Sequence, residues 1–266
     1  MDAIPTSGTA LTGPPDETAM ATILIPLPTT DFDPTETGVP WRVLNAWEHK
    51  IVFATPNGRE GQADPRMVTG QGLGPLAPLL KADANGLRAY QEMVQSPAFK
   101  QPIAYGDIRT EDFDALILPG GHAPGMKVYL ESSMLQARVV EFFEQRKPVG
   151  AICHGTVLAA RSRRPDGKSV LFGRKTTALI KQMEMSAWLL TFAWLGNYYR
   201  TYPQSVEDEV RAALENDSDF QRGPLGLFRD TPQQLDRGFV VQDGHYLSAR
   251  WPGDAHKFAT EFAKML

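Results

Sequence analysis

The sequence lacks most of the features that mark secreted, membrane-spanning or nucleic-acid-binding proteins. Its 266 residues include one cysteine, so no disulfide can form within the chain, which fits a reducing compartment. No apolar run approaches the roughly 20 residues needed to cross a bilayer, and the N-terminus lacks the pattern of a signal peptide. The net charge of -4 gives no reason to expect nucleic acid. We therefore expect a cytoplasmic protein with neither a membrane nor a nucleic-acid partner.

Signatures of bound metals and dinucleotides are also missing. The five histidines do not cluster at the spacing of metal ligands. The glycine-rich stretch 70–74 is not a dinucleotide fingerprint, because no strand leads into it and no helix opens on the required frame. We expect no metal and no cofactor.

Short apolar strands alternate with helical stretches along the chain. The predicted strands are residues 22–27, 50–55 and 113–118 and the apolar run before Cys153. Their apolar runs are continuous, which is typical of a parallel sheet covered on both faces. The pattern predicts an α/β fold with a doubly wound, mostly parallel sheet and helices on both faces.

Composition also suggests a domain organisation. Residues 1–20 are polar, without an apolar period, and predict a loose N-terminal arm. Residues 21–266 predict a single α/β domain with a helical insertion at about 180–236. After the insertion, residues 238–249 form two apolar runs around an Asp-Gly turn, which indicates a hairpin.

The stretch 147–160 predicts a strand, a tight turn and a helix, with Cys153 and His154 at the turn. This arrangement is typical of a nucleophile elbow. We expect an exposed thiol whose thiolate form is favoured by the helix N-terminus, with His154 as a base. The alternatives are a buried structural thiol and a histidine hydrogen-bonded to a nearby loop.

Three motifs, each after a predicted strand, resemble the ThiJ/PfpI superfamily of class I glutamine-amidotransferase-like proteins. They are Ala-Ile-Cys-His-Gly at 151–155, Leu-Pro-Gly-Gly-His at 118–122, and Glu-Thr-Gly-Val-Pro at 36–40. The resemblance covers residues 22–160 well and 239–266 more loosely. It is strongest to the branch of glyoxalase III enzymes and stress chaperones, which implies a flavodoxin-like fold, a homodimer, and a site at the carboxyl ends of the strands.

Some positions depart from the family pattern. Thr156 stands where the glyoxalase III branch often has proline, and residues 176–179 contain no carboxylate to complete a triad. Glu184 is nearby in sequence but lies on a predicted helix. The chain also has no late His-Pro-Glu, so we expect that it is not a glutamine amidotransferase.

The resemblance implies that Glu36 is protonated at the bottom of the site and hydrogen-bonds the sulfur of Cys153. Burial and like charge should raise the pKa of such a carboxyl group; the alternative is a glutamate that only favours a helix N-terminus. Gly121 is a candidate oxyanion donor together with the His154 N–H, or simply a turn glycine. His122 is a candidate for the site mouth, or a surface histidine.

Two residues outside the motifs are weaker candidates for substrate binding. Trp188 lies in the aromatic-rich stretch 181–202 and is a candidate roof of the pocket, although such residues are more often core or dimer contacts. Arg250 follows the last predicted strand, at an end that should face the site.

These candidates favour a cysteine-dependent, cofactor-free enzyme acting on a small carbonyl compound. The specific hypothesis is glyoxalase III-like conversion of a 2-oxoaldehyde to a 2-hydroxy acid. The alternatives are an amidase or other hydrolase of a small C–N bond, and a stress chaperone or redox sensor without turnover.

Overall fold

The computed structural model describes residues 20–266, so the predicted loose arm lies outside the described residues except for Met20. Its strands are β1 (Thr22–Pro26), β2 (Thr30–Phe32), β3 (Lys50–Thr55), β4 (Gln62–Ala63), β5 (Ile103–Ala104), β6 (Ala115–Leu118), β7 (Val149–Ile152), β8 (Val240–Asp243) and β9 (Tyr246–Ala249). Its helices are α1 (Pro34–Ala46), α2 (Pro65–Thr69), α3 (Ala77–Leu80), α4 (Ala84–Met93), α5 (Pro97–Lys100), α6 (Lys127–Leu130), α7 (Ser133–Glu144), α8 (Gly155–Arg161), α9 (Lys181–Leu195), α10 (Val206–Ala212) and α11 (Ala255–Ala263).

A seven-stranded sheet forms the centre of the molecule, in the order β5-β3-β1-β6-β7-β9-β8. All its neighbouring strands pair in parallel except β8, which pairs antiparallel with β9. Helix α1 packs against α4 and α11, and α8 packs against α6, α7 and α10. This is the predicted flavodoxin-like α/β fold, and β8 with β9 is the predicted hairpin.

The order in which strands are added to the sheet reverses between β1 and β6, two neighbouring parallel strands near its centre. From β1 the chain builds outward through β3 to β5, and it then returns to place β6 on the other side of β1. Open parallel sheets bind ligands at the carboxyl ends of the strands, beside such a switch point. The segments after β1, β6 and β7 carry Glu36, Gly120 and Cys153 respectively, so this edge is where the candidate residues meet.

Helix α1 begins at Pro34, two residues before Glu36. Asp33 caps it, because its Oδ1 accepts the N–H groups of Thr35 at 2.8 Å and Glu36 at 3.0 Å. Pro40 lies inside α1. Its missing N–H leaves the Glu36 carbonyl without its usual helical donor.

The interval 180–236 contains α9 and α10, as predicted, joined and followed by irregular chain. Its description as an insertion stays a prediction. None of the helices among residues 20–266 is long and apolar enough to cross a membrane. Several short elements were missed from sequence, namely β2, β4, β5, α2, α3, α5 and α6.

Candidate active site

The turn after β7 holds Cys153 in a conformation that few non-glycine residues adopt. Its φ is 56°, in the left-handed region, which costs on the order of 1–3 kcal/mol and persists only where the surrounding structure imposes it. Helix α8 then begins at Gly155, where a Cβ would lie only 1.9 Å from the carbonyl oxygen of Leu118. Glycine at this position therefore lets the elbow press against the end of β6.

Gly120, in the turn after β6, brings the three candidate catalytic residues together. A Cβ on Gly120 would lie 2.6 Å from Glu36 Oε2, 2.7 Å from the His154 nitrogen and 2.9 Å from Cys153 Cβ. Its N–H donates to Glu36 Oε2 at 3.0 Å. Sequence reasoning chose its neighbour Gly121 and missed Gly120, although both belong to the same motif.

Gly121 faces the other side of the turn. A Cβ there would lie 2.6 Å from the Asp31 carbonyl oxygen and 3.0 Å from the Met126 sulfur. Its φ is 153°. Its role as an oxyanion donor stays a prediction.

Burial controls the protonation of both the carboxyl group and the thiol. Glu36 is fully buried, and burial, reinforced by the charge of Asp33, raises its pKa well above the usual value. The upward direction is the one expected from sequence. Burial similarly raises the pKa of Asp33 to about 6. Within residues 20–266, Glu36 Oε1 is buried and has no hydrogen-bond partner.

The thiol itself differs from the sequence-based expectation. Cys153 is only 5% exposed, and burial raises its pKa well above the usual value, with the charges of Glu36 and Asp33 acting in the same direction. The expected exposed thiolate is therefore wrong, because desolvation outweighs the pull of the helix N-terminus. The resting group is a thiol that needs a base when it reacts.

His154 is positioned to act on that thiol. Its Nδ1 lies 3.5 Å from Cys153 Sγ, and its Nε2 lies 3.1 Å from Thr201 Oγ1. The ring thus faces the sulfur, although adjacent residues at a turn often point apart. Burial lowers the pKa of His154 to about 3, and His122 and Arg161 add to this effect. The ring is neutral at physiological pH.

Residues 196–203, here called the cover segment, close the site from above. The Thr201 hydroxyl donates to the His122 carbonyl oxygen at 2.6 Å. Tyr199 stacks on the His122 ring, with centroids 4.3 Å apart. Tyr198 meets the same ring edge-on and donates a hydrogen bond to Asp64. His122 is therefore held beneath the cover segment beside the site, rather than at the surface.

Two cavities flank the cover segment. One of about 640 Å³ is lined in part by Asp31, Arg66 and Tyr198. The other, of about 220 Å³, is lined in part by Arg200 and Thr201. Neither of these two is lined by Cys153.

Two predicted site residues do not meet the others. Trp188 is on α9, where its Nε1–H donates to Asn197 Oδ1 at 3.1 Å. Arg250 is fully buried, and its Nε donates to Asp254 Oδ2 at 2.8 Å while its Nη1 donates to backbone carbonyl oxygens. Its guanidinium is committed to contacts that hold the chain together. Neither residue's substrate-binding role gains support from this placement.

Metal-ligating side chains do not gather anywhere in the described part of the chain. Across residues 20–266, no group of three or more histidine, cysteine, aspartate or glutamate residues is arranged to hold a metal ion.

Comparison with known proteins identifies a family. A family model described as ThiJ/PfpI family-like matches residues 27–224. A deglycase from Pyrococcus furiosus is 28% identical over 167 residues, which cover 63% of this chain and 70% of that protein. A deglycase from Thermococcus kodakarensis is 27% identical over 164 residues, which cover 62% and 69%.

Solved structures share the fold over nearly the whole chain. Glyoxalase III from Candida albicans superposes with a TM-score of 0.65 at 19% identity, covering 93% of this chain and 98% of that one. The rapid encystment protein of Francisella tularensis has a TM-score of 0.65 at 17% identity, covering 92% and 99%. At these identities the likeness concerns the fold alone.

Proposed function

The chain belongs to the ThiJ/PfpI-like family, and on that basis we propose that it is a cysteine-dependent, cofactor-free enzyme that converts a 2-oxoaldehyde into a 2-hydroxy acid. The observation that carries the proposal is the position of Cys153 Sγ, 3.5 Å from His154 Nδ1, in a buried site shared with Glu36. Deglycase relatives support a carbonyl-directed enzyme of this family.

The first step is addition of the thiol to the aldehyde carbon. As the sulfur–carbon bond forms, the thiol proton passes to His154 Nδ1 and then to the former carbonyl oxygen, which gives a hemithioacetal. The Gly121 and His154 N–H groups are the proposed donors to that oxygen while it carries charge. No net charge needs to enter the buried site.

The second step moves a hydrogen between the two substrate carbons. His154, neutral because its pKa is lowered to about 3, is the proposed base for the proton on the former aldehyde carbon. Glu36, protonated because its pKa is raised, is the proposed acid for the neighbouring carbon. Opposite pKa shifts on neighbouring groups are the usual sign of such a division of roles. The hydroxyl proton on the former aldehyde carbon passes to the oxygen of the neighbouring carbon, which gives a thioester, and the proton held by His154 returns to Glu36. Water then cleaves the thioester to the 2-hydroxy acid and the free thiol.

Methylglyoxal turnover by the purified protein tests the proposal, with lactate measured as product. We expect turnover by the wild-type protein and none above background by Cys153→Ala. The melting temperature of the variant serves as the control for folding. Equal rates in the two proteins would exclude the proposed nucleophile.

The deglycase relatives favour a second reaction at the same site, cleavage of a small C–N bond by the same thiol. A parallel assay of small amides and of amine adducts of the oxoaldehyde separates the two. Turnover of the adduct faster than of the free oxoaldehyde would make C–N cleavage the primary activity.

Exposed apolar side chains on α9 favour a function of a different class, chaperone activity. Leu189, Leu190, Phe192 and Trp194 are 48–66% exposed, and such patches mark interaction sites. Suppression of aggregation by Cys153→Ala as effectively as by the wild-type protein would support it. The redox-sensor alternative gains less support, because a buried thiol with a raised pKa oxidises slowly.

We further propose a cytoplasmic homodimer. The resemblance noted in the sequence supports the dimer, and the single cysteine supports the compartment. Sedimentation velocity at several concentrations tests the dimer.

A further inference from the structure

The Thr201 hydroxyl contacts both histidines of the site. It lies 2.6 Å from the His122 carbonyl oxygen and 3.1 Å from His154 Nε2. Thr201 is 6% exposed and His154 is 1% exposed, so bulk water does not compete freely for these bonds. Thr201 comes from the cover segment, far along the chain from the elbow.

A hydroxyl group has one hydrogen, and this geometry decides where it points. A carbonyl oxygen can only accept, so an oxygen–oxygen distance of 2.6 Å requires the Thr201 hydrogen to lie between Thr201 Oγ1 and the His122 oxygen. Toward His154, Thr201 Oγ1 can then only accept. His154 Nε2 must therefore carry the hydrogen of that bond.

The other ring nitrogen follows from the first. A neutral imidazole carries one N–H, and burial with the nearby His122 and Arg161 keeps this ring neutral by lowering its pKa to about 3. With the hydrogen on Nε2, the Nδ1 lone pair faces Cys153 Sγ at 3.5 Å. This is the tautomer that can take the proton of a thiol.

We propose that Thr201 is the positioning residue of the site: its hydroxyl, oriented by the His122 carbonyl, holds His154 as the Nε2–H tautomer with Nδ1 toward Cys153. The proposal rests on the proposed cysteine chemistry for its effect on turnover, but not for the tautomer. Thr201 thus does what a carboxylate does in many nucleophile–histidine triads, and residues 176–179, where the sequence lacks that carboxylate, need not supply it.

A neutral oxygen in this position has a chemical consequence. A carboxylate would both orient the ring and stabilise an imidazolium, whereas a hydroxyl orients the ring with much less stabilisation of charge. The resting pair is therefore thiol and neutral imidazole. The proton leaves the sulfur only as the bond to substrate forms.

The test compares Thr201→Val, which keeps the shape but removes the hydroxyl, with Thr201→Ser, which keeps the hydroxyl. Thr191→Val is the matched control, because Thr191 is also buried and its hydroxyl donates to the Ala187 carbonyl within α9. We expect Thr201→Val to lower kcat for methylglyoxal at least tenfold, with KM changed less than about threefold. We expect Thr201→Ser to restore kcat to within about threefold, and Thr191→Val to retain wild-type kcat.

Nitrogen-15 NMR of the histidine side chains, with the His154 signals assigned from their loss in His154→Asn, reads the tautomer directly. We expect Nε2–H in the wild-type protein and Thr201→Ser, and a mixture of tautomers in Thr201→Val. An Nδ1–H tautomer in the wild-type protein would overturn the proposal. So would a Thr201→Val variant that keeps both kcat and the Nε2–H tautomer, or a loss of kcat that serine does not restore.

The two proposals fail in different ways. If the wild-type protein does not turn over the oxoaldehyde, the reaction is wrong, and the NMR comparison still decides the role of Thr201. If the wild-type protein turns it over and Thr201→Val is equally active with an unchanged tautomer, only the role of Thr201 is wrong. Melting temperatures of all variants show whether a lost activity reflects unfolding.

Discussion

The elbow, residues 149–161, and the late region formed by α9 and the cover segment are built in contrasting ways. In the elbow nearly every side chain is buried, and each position has a local reason, such as a short parallel strand, a left-handed cysteine and a glycine against β6. Helix α9 is apolar on most sides yet only partly covered. The elbow fixes Cys153, the proposed nucleophile, whereas the late region reaches the site through contacts between distant parts of the chain.

The contrast extends to how the candidate residues and the cover segment are held in place. Glu36, Gly120, Cys153 and His154 are held close together by the ends of the central strands and by α1. The cover segment meets them mainly through hydrogen bonds and aromatic stacking around His122.

The largest effect is expected at Arg250, where a substitution tests whether this residue stabilises the fold or binds substrate. Arg250 and Asp254 are both 0% exposed and paired, and removing one member of a buried pair leaves an uncompensated charge. We expect Arg250→Ala to lower the free energy of unfolding by about 3–5 kcal/mol, with KM for methylglyoxal little changed at a permissive temperature. Urea unfolding and kinetics measure both.

The matched control is Arg237→Ala, because Arg237 is exposed and lies over the Phe228 ring. It should change stability by less than about 0.5 kcal/mol. If Arg250→Ala instead keeps full stability and raises KM, Arg250 binds substrate rather than stabilising the fold.

The sequence predicted the elbow side of this comparison well. Continuous apolar runs that end at glycine turns predict β1, β3, β6 and β7 with small errors at their ends, because these elements follow local rules. The motif that carries Glu36 is far from Cys153 in sequence, and its proximity followed from the resemblance rather than from any spacing.

The late region was harder to predict for a physical reason. Helix α9 was recognised, but the aromatic residues of the stretch 181–202 gave no sign of which would reach the site. Trp188 on α9 bonds Asn197, whereas Tyr199 in the cover segment reaches His122. Thr201 is an ordinary polar residue in an irregular stretch, and its role depends on two contacts across the fold. The exposed thiolate was mispredicted because burial is a tertiary property that a turn motif does not reveal.

The next largest effect is expected at Glu36, the proposed general acid. Gln at position 36 keeps an oxygen for the Gly120 N–H but cannot give up a proton. We expect Glu36→Gln to lower kcat about 10²-fold, which corresponds to about 2.7 kcal/mol in activation free energy, with the fold retained. Steady-state kinetics and a thermal melt measure the two effects.

Glu144→Gln, an exposed change on α7, is its control and should leave kcat unchanged. If Glu36→Gln turns over methylglyoxal at the wild-type rate, Glu36 has only a structural role.

Stability against pH probes the interior of the late region. Glu184 on α9 is 3% exposed, and burial raises its pKa from 4.5 to about 7 although its carboxylate accepts the Val206 N–H. The folded chain keeps this proton up to about pH 7, whereas the unfolded chain releases it above about pH 4.5. The contribution of Glu184 to stability is therefore greatest below pH 4.5 and is lost as the pH rises to 7.

Glu184→Gln does not titrate and should remove this loss. We expect equal stability of the variant and the wild-type protein at pH 4, and a gain on the order of 2 kcal/mol in the variant at pH 8. Urea titrations at the two pH values measure it. Glu215→Gln, an exposed change, should show no such gain, and an identical pH profile for Glu184→Gln and the wild-type protein would contradict the buried, protonated carboxyl group.

The smallest expected effect lies on the outer face of α9 and separates its packing role from an interaction role. Leu189 is 66% exposed, whereas Leu158 on α8 is fully buried. We expect Leu189→Ser to change the free energy of unfolding by less than about 0.5 kcal/mol and Leu158→Ser to lower it by about 3 kcal/mol or more.

If Leu189→Ser instead costs more than about 1 kcal/mol and its unfolding midpoint depends on protein concentration, α9 packs against a second copy of the chain. Unchanged stability with weakened suppression of aggregation would make the same face a chaperone surface, because the apolar side chain would then act on other proteins rather than on its own fold.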